Sequence, residues 1–150
     1  MKKLNEKGFT LIELLAVIVI LAIVAAITIP TVLSSMGNAR QSTFNTSAQT
    51  VADWFEKEYS AAQINMADAE FTALCGADGS TCATNTAVKF SVENGKGALE
   101  TAGVKASNYD LANSSVKINT NGRVCITLAA STTGDFSSVT NKTAKSATCS

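Results

Sequence analysis

Residues 9–29 form a run of 21 positions in which Glu13 is the single charge, apolar all the way round a helix rather than along one face. That meets the roughly 20 residues an α-helix needs to cross the hydrocarbon core of a bilayer, and it predicts a spanning helix. Pro30 removes a backbone donor and crowds the turn before it, so a kink or local melting is expected at residues 26–29. Gly37 and Asn38 weaken the helix again. Beyond them the pattern changes: Phe44, Ala48, Val51, Phe55, Tyr59 and Ala62 recur in steps of four and three, the period of a helix with one apolar face. One helix over residues 9–63 is predicted, apolar over 9–33 and amphipathic over 34–63. At 1.5 Å per residue it would be about 80 Å long, far more than a bilayer needs, so its outer half must pack on something.

Residues 64–150 supply that partner as a globular part. Residues 64–86 read as a loop with a short helix at 67–74. Period-two alternation follows at 87–92 with Val88, Phe90 and Val92 on one face, at 115–119 with Val116 and Ile118, and at 123–129 with Val124, Ile126 and Leu128. Asn121-Gly122 between the last two is a type I′ hairpin signal. Residues 97–103 predict one helical turn, and Phe136 with Val139 predicts a short edge strand in the Ser/Thr/Lys-rich tail. Phe44, Phe55 and Tyr59 are assigned to the core, as the helix face on which the sheet sits.

Composition narrows the chemistry. The 150 residues suffice for one domain plus an anchor, and 12 basic against 12 acidic side chains give no electrostatic case for nucleic acid; Lys142 and Lys145 in the tail are too few to define such a site. The absence of histidine argues against catalytic triads and most zinc sites. Asp78-Gly79 and Gly134-Asp135 lack the ligand spacing of a calcium loop and read as turns. Neither a metal nor a cofactor is expected. Cys75, Cys82, Cys125 and Cys149 all follow the apolar segment, which predicts two disulfides formed in an oxidising compartment. Of the three connectivities, Cys75 with Cys82 and Cys125 with Cys149 is favoured because each pair closes its own segment.

Ahead of the apolar run stand Lys2, Lys3 and Lys7 against one acid, Glu6, which by the positive-inside rule keeps residues 1–8 in the cytoplasm and exports the rest. Lys7-Gly8-Phe9-Thr10-Leu11-Ile12-Glu13 then closely resembles the class III signal of type IV prepilins, a match that runs through Pro30. The resemblance covers about the first 60 residues well and the cysteine-bearing region only in layout. It implies an α+β pilin fold: the long N-terminal helix packed on an antiparallel sheet of three or four strands, with a disulfide-closed C-terminal region. It also implies cleavage between Gly8 and Phe9 by a prepilin peptidase, methylation of the new Phe9 amine, and a leader of residues 1–8. Phe9, Glu13 and Pro30 become the assembly residues, with Pro30 the place where the helix melts in the filament.

Glu13 can be argued independently: a carboxylate inside a span costs about 3 kcal/mol and is rarely left without a partner. Cleavage creates one, the Phe9 amine of a neighbouring subunit; the bland alternative is a glutamate one turn into the span that reaches water. A secretory signal cut near residues 24–26 would have a shorter apolar region without Glu13, and a plain single-pass anchor leaves Gly8-Phe9 and Glu13 unexplained. Trp54, off the apolar stripe, is placed either at the domain edge or against a neighbouring subunit. The expected function is a structural, non-enzymatic subunit, a major pilin of a type IV pilus, whose use for adhesion, twitching, DNA uptake or aggregation depends on surface loops and motors encoded elsewhere. It waits in the cytoplasmic membrane among lipid and the pilus assembly machinery, then joins copies of itself in a cell-surface filament. The alternatives are a minor pilin, a pseudopilin of a type II secretion or competence system, and a membrane-anchored binding protein. Loss of the leader leaves 9 basic and 11 acidic side chains.

Overall fold

The computed structural model describes residues 9–92, 94–119, 121–147 and 149. The chain divides into two compact units, Met1–Gly37 and Asn38–Ser150, and helix α1 (Leu11–Ala62) contributes to both. In the first unit every described residue is exposed, so the helix shows Leu, Ile and Val on all sides. The melting expected at residues 26–29 is not found. α1 continues through Pro30, Gly37 and Asn38 without a break, because extending an existing helix is far easier than starting one and intact turns flank the proline on both sides. Thr28 Oγ1 donates to the Ala25 carbonyl at 3.4 Å and Thr31 Oγ1 to the Ile27 carbonyl at 3.3 Å, side-chain donors on either side of the Ala26 carbonyl that Pro30 cannot serve.

In the second unit the amphipathic stretch of α1 buries Phe44, Ala48, Val51, Ala52, Phe55 and Ala62. They share one core with the inward side chains of a four-stranded antiparallel sheet. Its strands are β1 (Val88–Lys89), β2 (Ser115–Ile118), β3 (Val124–Ala129) and β4 (Thr143–Ser146), in the order β1-β2-β3-β4. The register sets Val88, Val116, Ile126 and Ser146 in one inward row. The next row, Lys89, Ser115, Thr127 and Lys145, faces away. Phe55 meets Phe71 and Phe90, each with ring centroids 5.9 Å apart, while Phe44 meets Phe136 at 5.2 Å. Truncating a phenylalanine buried this way costs about 3–5 kcal/mol.

Helix α2 (Ala69–Cys75) lies two residues beyond the start expected for it, because Asp68 caps it by accepting from the Glu70 N–H at 2.8 Å. Asp68 in turn donates its own N–H at 2.7 Å to Glu58, a buried carboxylate on α1 that ties the two helices together. Helix α3 (Gly95–Thr101) begins earlier than predicted and makes nearly two turns.

Four further expectations are corrected. β1 has two residues rather than six: Phe90 is buried, but a turn from Lys89 carries Val92 out to solvent. Phe136 and Val139 make no strand; they are buried in turns, and the edge strand is β4, further along the tail. The β2–β3 reversal is not the two-residue type I′ loop that Asn121-Gly122 predicts. Ile118 pairs with Val124 and the Asn119 N–H donates to the Arg123 carbonyl, so the reversal closes between residues 119 and 123; Gly122 has φ +76° and donates its N–H to the Asn119 carbonyl, and the Asn119 carboxamide accepts from the Asn121 and Arg123 N–H groups. Tyr59, assigned to the core, is half-buried, its ring set between the turns at Gly79 and Gly122.

The tail is held against the helix by more than the sheet. Cys125 is joined to Cys149, and Cys75 to Cys82 beside α2. The Gln41 carboxamide accepts the Asn141 N–H at 3.0 Å and donates to its carbonyl at 3.4 Å, and Ser146 Oγ donates to Gln49 at 2.7 Å. Trp54 is half-buried on its own domain, edge-on to Phe55 at 4.9 Å.

Candidate processing and assembly segment

Phe9 precedes α1 and is 92% exposed, and Gly8 lies outside the described residues. One residue on, Thr10 and Glu13 bond reciprocally. The Thr10 N–H and hydroxyl donate to Glu13 Oε2 at 2.8 and 2.7 Å, and the Glu13 N–H reaches Thr10 Oγ1 at 3.3 Å. With α1 starting at Leu11, Thr10 is the N-cap and Glu13 the third helical residue, which makes the pair a capping box. A negative charge at this end also meets the favourable pole of the helix dipole.

The Glu13 carboxylate has donors within its own chain, so its presence in the apolar run does not by itself demand a neighbour. Both bonds from Thr10 end on Oε2, which leaves Oε1 for a further donor. Thr10 was absent from the expected site residues although its signal, Thr-x-x-Glu ahead of an apolar run, stands in the sequence.

Thr10 and Glu13 therefore form one cluster, Phe9 adjoins it in sequence, and Pro30 stands apart along the helix. From Leu14 to Ala39 there is no ionisable side chain, and α1 is long and apolar enough to cross a membrane. The four cysteines belong to the second unit and make their own two pairs.

Residues 3–29 match the model of the prokaryotic N-terminal methylation motif. No curated protein and no solved structure matches the chain. The match ends at Ile29 and is consistent with a type IV prepilin; with the long helix, antiparallel sheet and paired cysteines, it supports a pilin-like protein whose apolar helix fits membrane anchoring before assembly.

Proposed function

We propose that this chain is a structural subunit of a type IV pilus. A prepilin peptidase removes residues 1–8 by cutting between Gly8 and Phe9, and the new Phe9 amine is methylated. Residues 9–33 hold the subunit in the cytoplasmic membrane with its N-terminus inside; residues 34–63 carry the head, 64–150. On assembly the helices leave lipid and pack on copies of themselves, Pro30 letting the helix extend locally. The subunit is not an enzyme, since a chain without histidine lacks the commonest general base.

The observation that carries this reading is an all-round apolar helix that opens on a methylation motif and keeps one carboxylate, capped but still able to accept another bond. In the filament that carboxylate pairs with the Phe9 amine of the next subunit. Such a pair is stronger away from water than in it, and it sets the axial register of one helix against its neighbour.

Intact mass and N-terminal peptide spectra of the mature protein should show a chain starting at methylated Phe9; a start at Ile27 would mean an ordinary signal peptidase acts instead. Glu13→Val should leave the protein inserted and folded yet give few or no filaments by electron microscopy. Normal filament numbers in that variant would refute the pairing.

A further inference from the structure

Arg40 is the first ionisable residue after Glu13. The 26 residues between them rise about 39 Å as helix, which with the two side chains matches the roughly 40–45 Å of a bilayer including its headgroup layers. If Glu13 enters at the inner interface, chain length alone brings Arg40 to the outer headgroups. Its surroundings in the second unit suit an anion. Arg40, Thr43, Gly134, Asp135, Phe136 and Ser137 line an open cleft of about 520 Å³. The guanidinium donates to Ser138 Oγ at 3.0 Å through Nη1, one of its several N–H groups. Lys142 Nζ bonds the Ser137 carbonyl, so two cations grip one short loop.

Asp135 is the acid in the lining, and it is engaged elsewhere. Its Oδ2 accepts from Asn108 Nδ2 at 3.0 Å, and its N–H donates to Asn108 Oδ1 at 3.1 Å. Formal charge from Arg40, Lys142 and Asp135 stays positive. The loop is also fixed: a Cβ on Gly134 would come within 2.6 Å of the Asn108 Cα, so backbone lies on backbone there. An arginine whose remaining N–H groups face an open cleft is suited to bidentate phosphate binding.

We propose that this cleft takes the phosphate of an outer-leaflet phospholipid headgroup while the subunit waits in the membrane. The proposal rests on the membrane-anchored reading above and not on filament formation.

The test uses full-length mature protein in nanodiscs of phosphatidylglycerol and in nanodiscs of a phosphate-free galactolipid, with hydrogen exchange followed over residues 130–142. Exchange should be about tenfold slower in the phospholipid, the worth of one charge-assisted hydrogen bond. Arg40→Gln should abolish that difference and Arg40→Lys restore part of it, with exchange elsewhere in the head unchanged. Equal exchange in both lipids would overturn the proposal. So would slowing by inorganic phosphate in detergent to the level seen in the phospholipid, which would mean a free-anion site, or slowing confined to assembled filaments, which would mean a neighbouring subunit fills the cleft. Failure of the protein to enter either disc would remove the anchored reading itself, whereas insertion with no lipid difference removes the cleft proposal alone.

Discussion

Tyr59 shows how much one side chain can demand of its neighbours. Gly79 and Gly122 have φ of +73° and +76°, and each approaches the ring closely: a Cβ would come within 2.7 Å of Cδ2 from Gly79 and within 3.1 Å of Cε1 from Gly122. Gly79→Ala should therefore destabilise the head by about 1–3 kcal/mol, by left-handed strain plus a clash with the ring. Gly122→Ala, with the looser contact, should cost less, and thermal unfolding followed by circular dichroism would rank them. Tyr109 offers a second single-residue test. Burial among Phe44 and Phe136 raises its phenol above the ordinary 10.0, opposed by a hydrogen bond with Ser47. Because the folded value is the higher one, its contribution is complete below pH 10.0 and is lost as pH rises from there through the folded value. Tyr109→Phe should flatten the alkaline limb of a stability-against-pH curve, and an unchanged limb would count against this assignment.

Among the elements, β4 was the least legible in advance. Thr143-Ala144-Lys145-Ser146 has one inward apolar residue; its other inward position is a serine satisfied by Gln49, nearly a hundred residues earlier. A pattern of local hydrophobicity cannot report a strand defined by a distant amide and a disulfide. β2, β3 and the amphipathic stretch of α1 were legible because each puts a full apolar stripe on one face. The capping box was equally readable from Thr10 and Glu13, whereas the loop around Arg40 depends on contacts close to a hundred residues apart in sequence. Lys89 on β1 and Lys145 on β4 place a charge on each edge strand, a common guard against pairing between sheets. Replacing Cys125 and Cys149 by serine opens a loop of 24 residues and should cost about 3 kcal/mol. Protease sensitivity should rise first over 131–150, with the β3–β4 pairing and the side-chain bonds from Arg40, Gln41 and Gln49 left to hold the tail; tail cleavage as slow as in the parent would show that these suffice.

The whole molecule consists of two units with different requirements: one exposes apolar surface everywhere, and the other buries a compact core. Lesions should separate accordingly. Phe55→Asp places a charge at a fully buried position among Phe71 and Phe90 and should unfold the head. Cleavage after Gly8 and methylation of Phe9 should persist, because the proposed peptidase reads residues near the N-terminus. Mass spectrometry of membranes from cells producing this variant would check it, and an uncleaved chain would show that processing depends on a folded head.

Trp54 is the chain's single tryptophan, half-buried and edge-on to Phe55 and Phe71. Indole emission from this protein therefore comes from one place, where α1 meets α2, and the apolar segment contributes none. A red shift on denaturation would time the parting of those two helices, even in vesicles where absorbance and scattering obscure other signals.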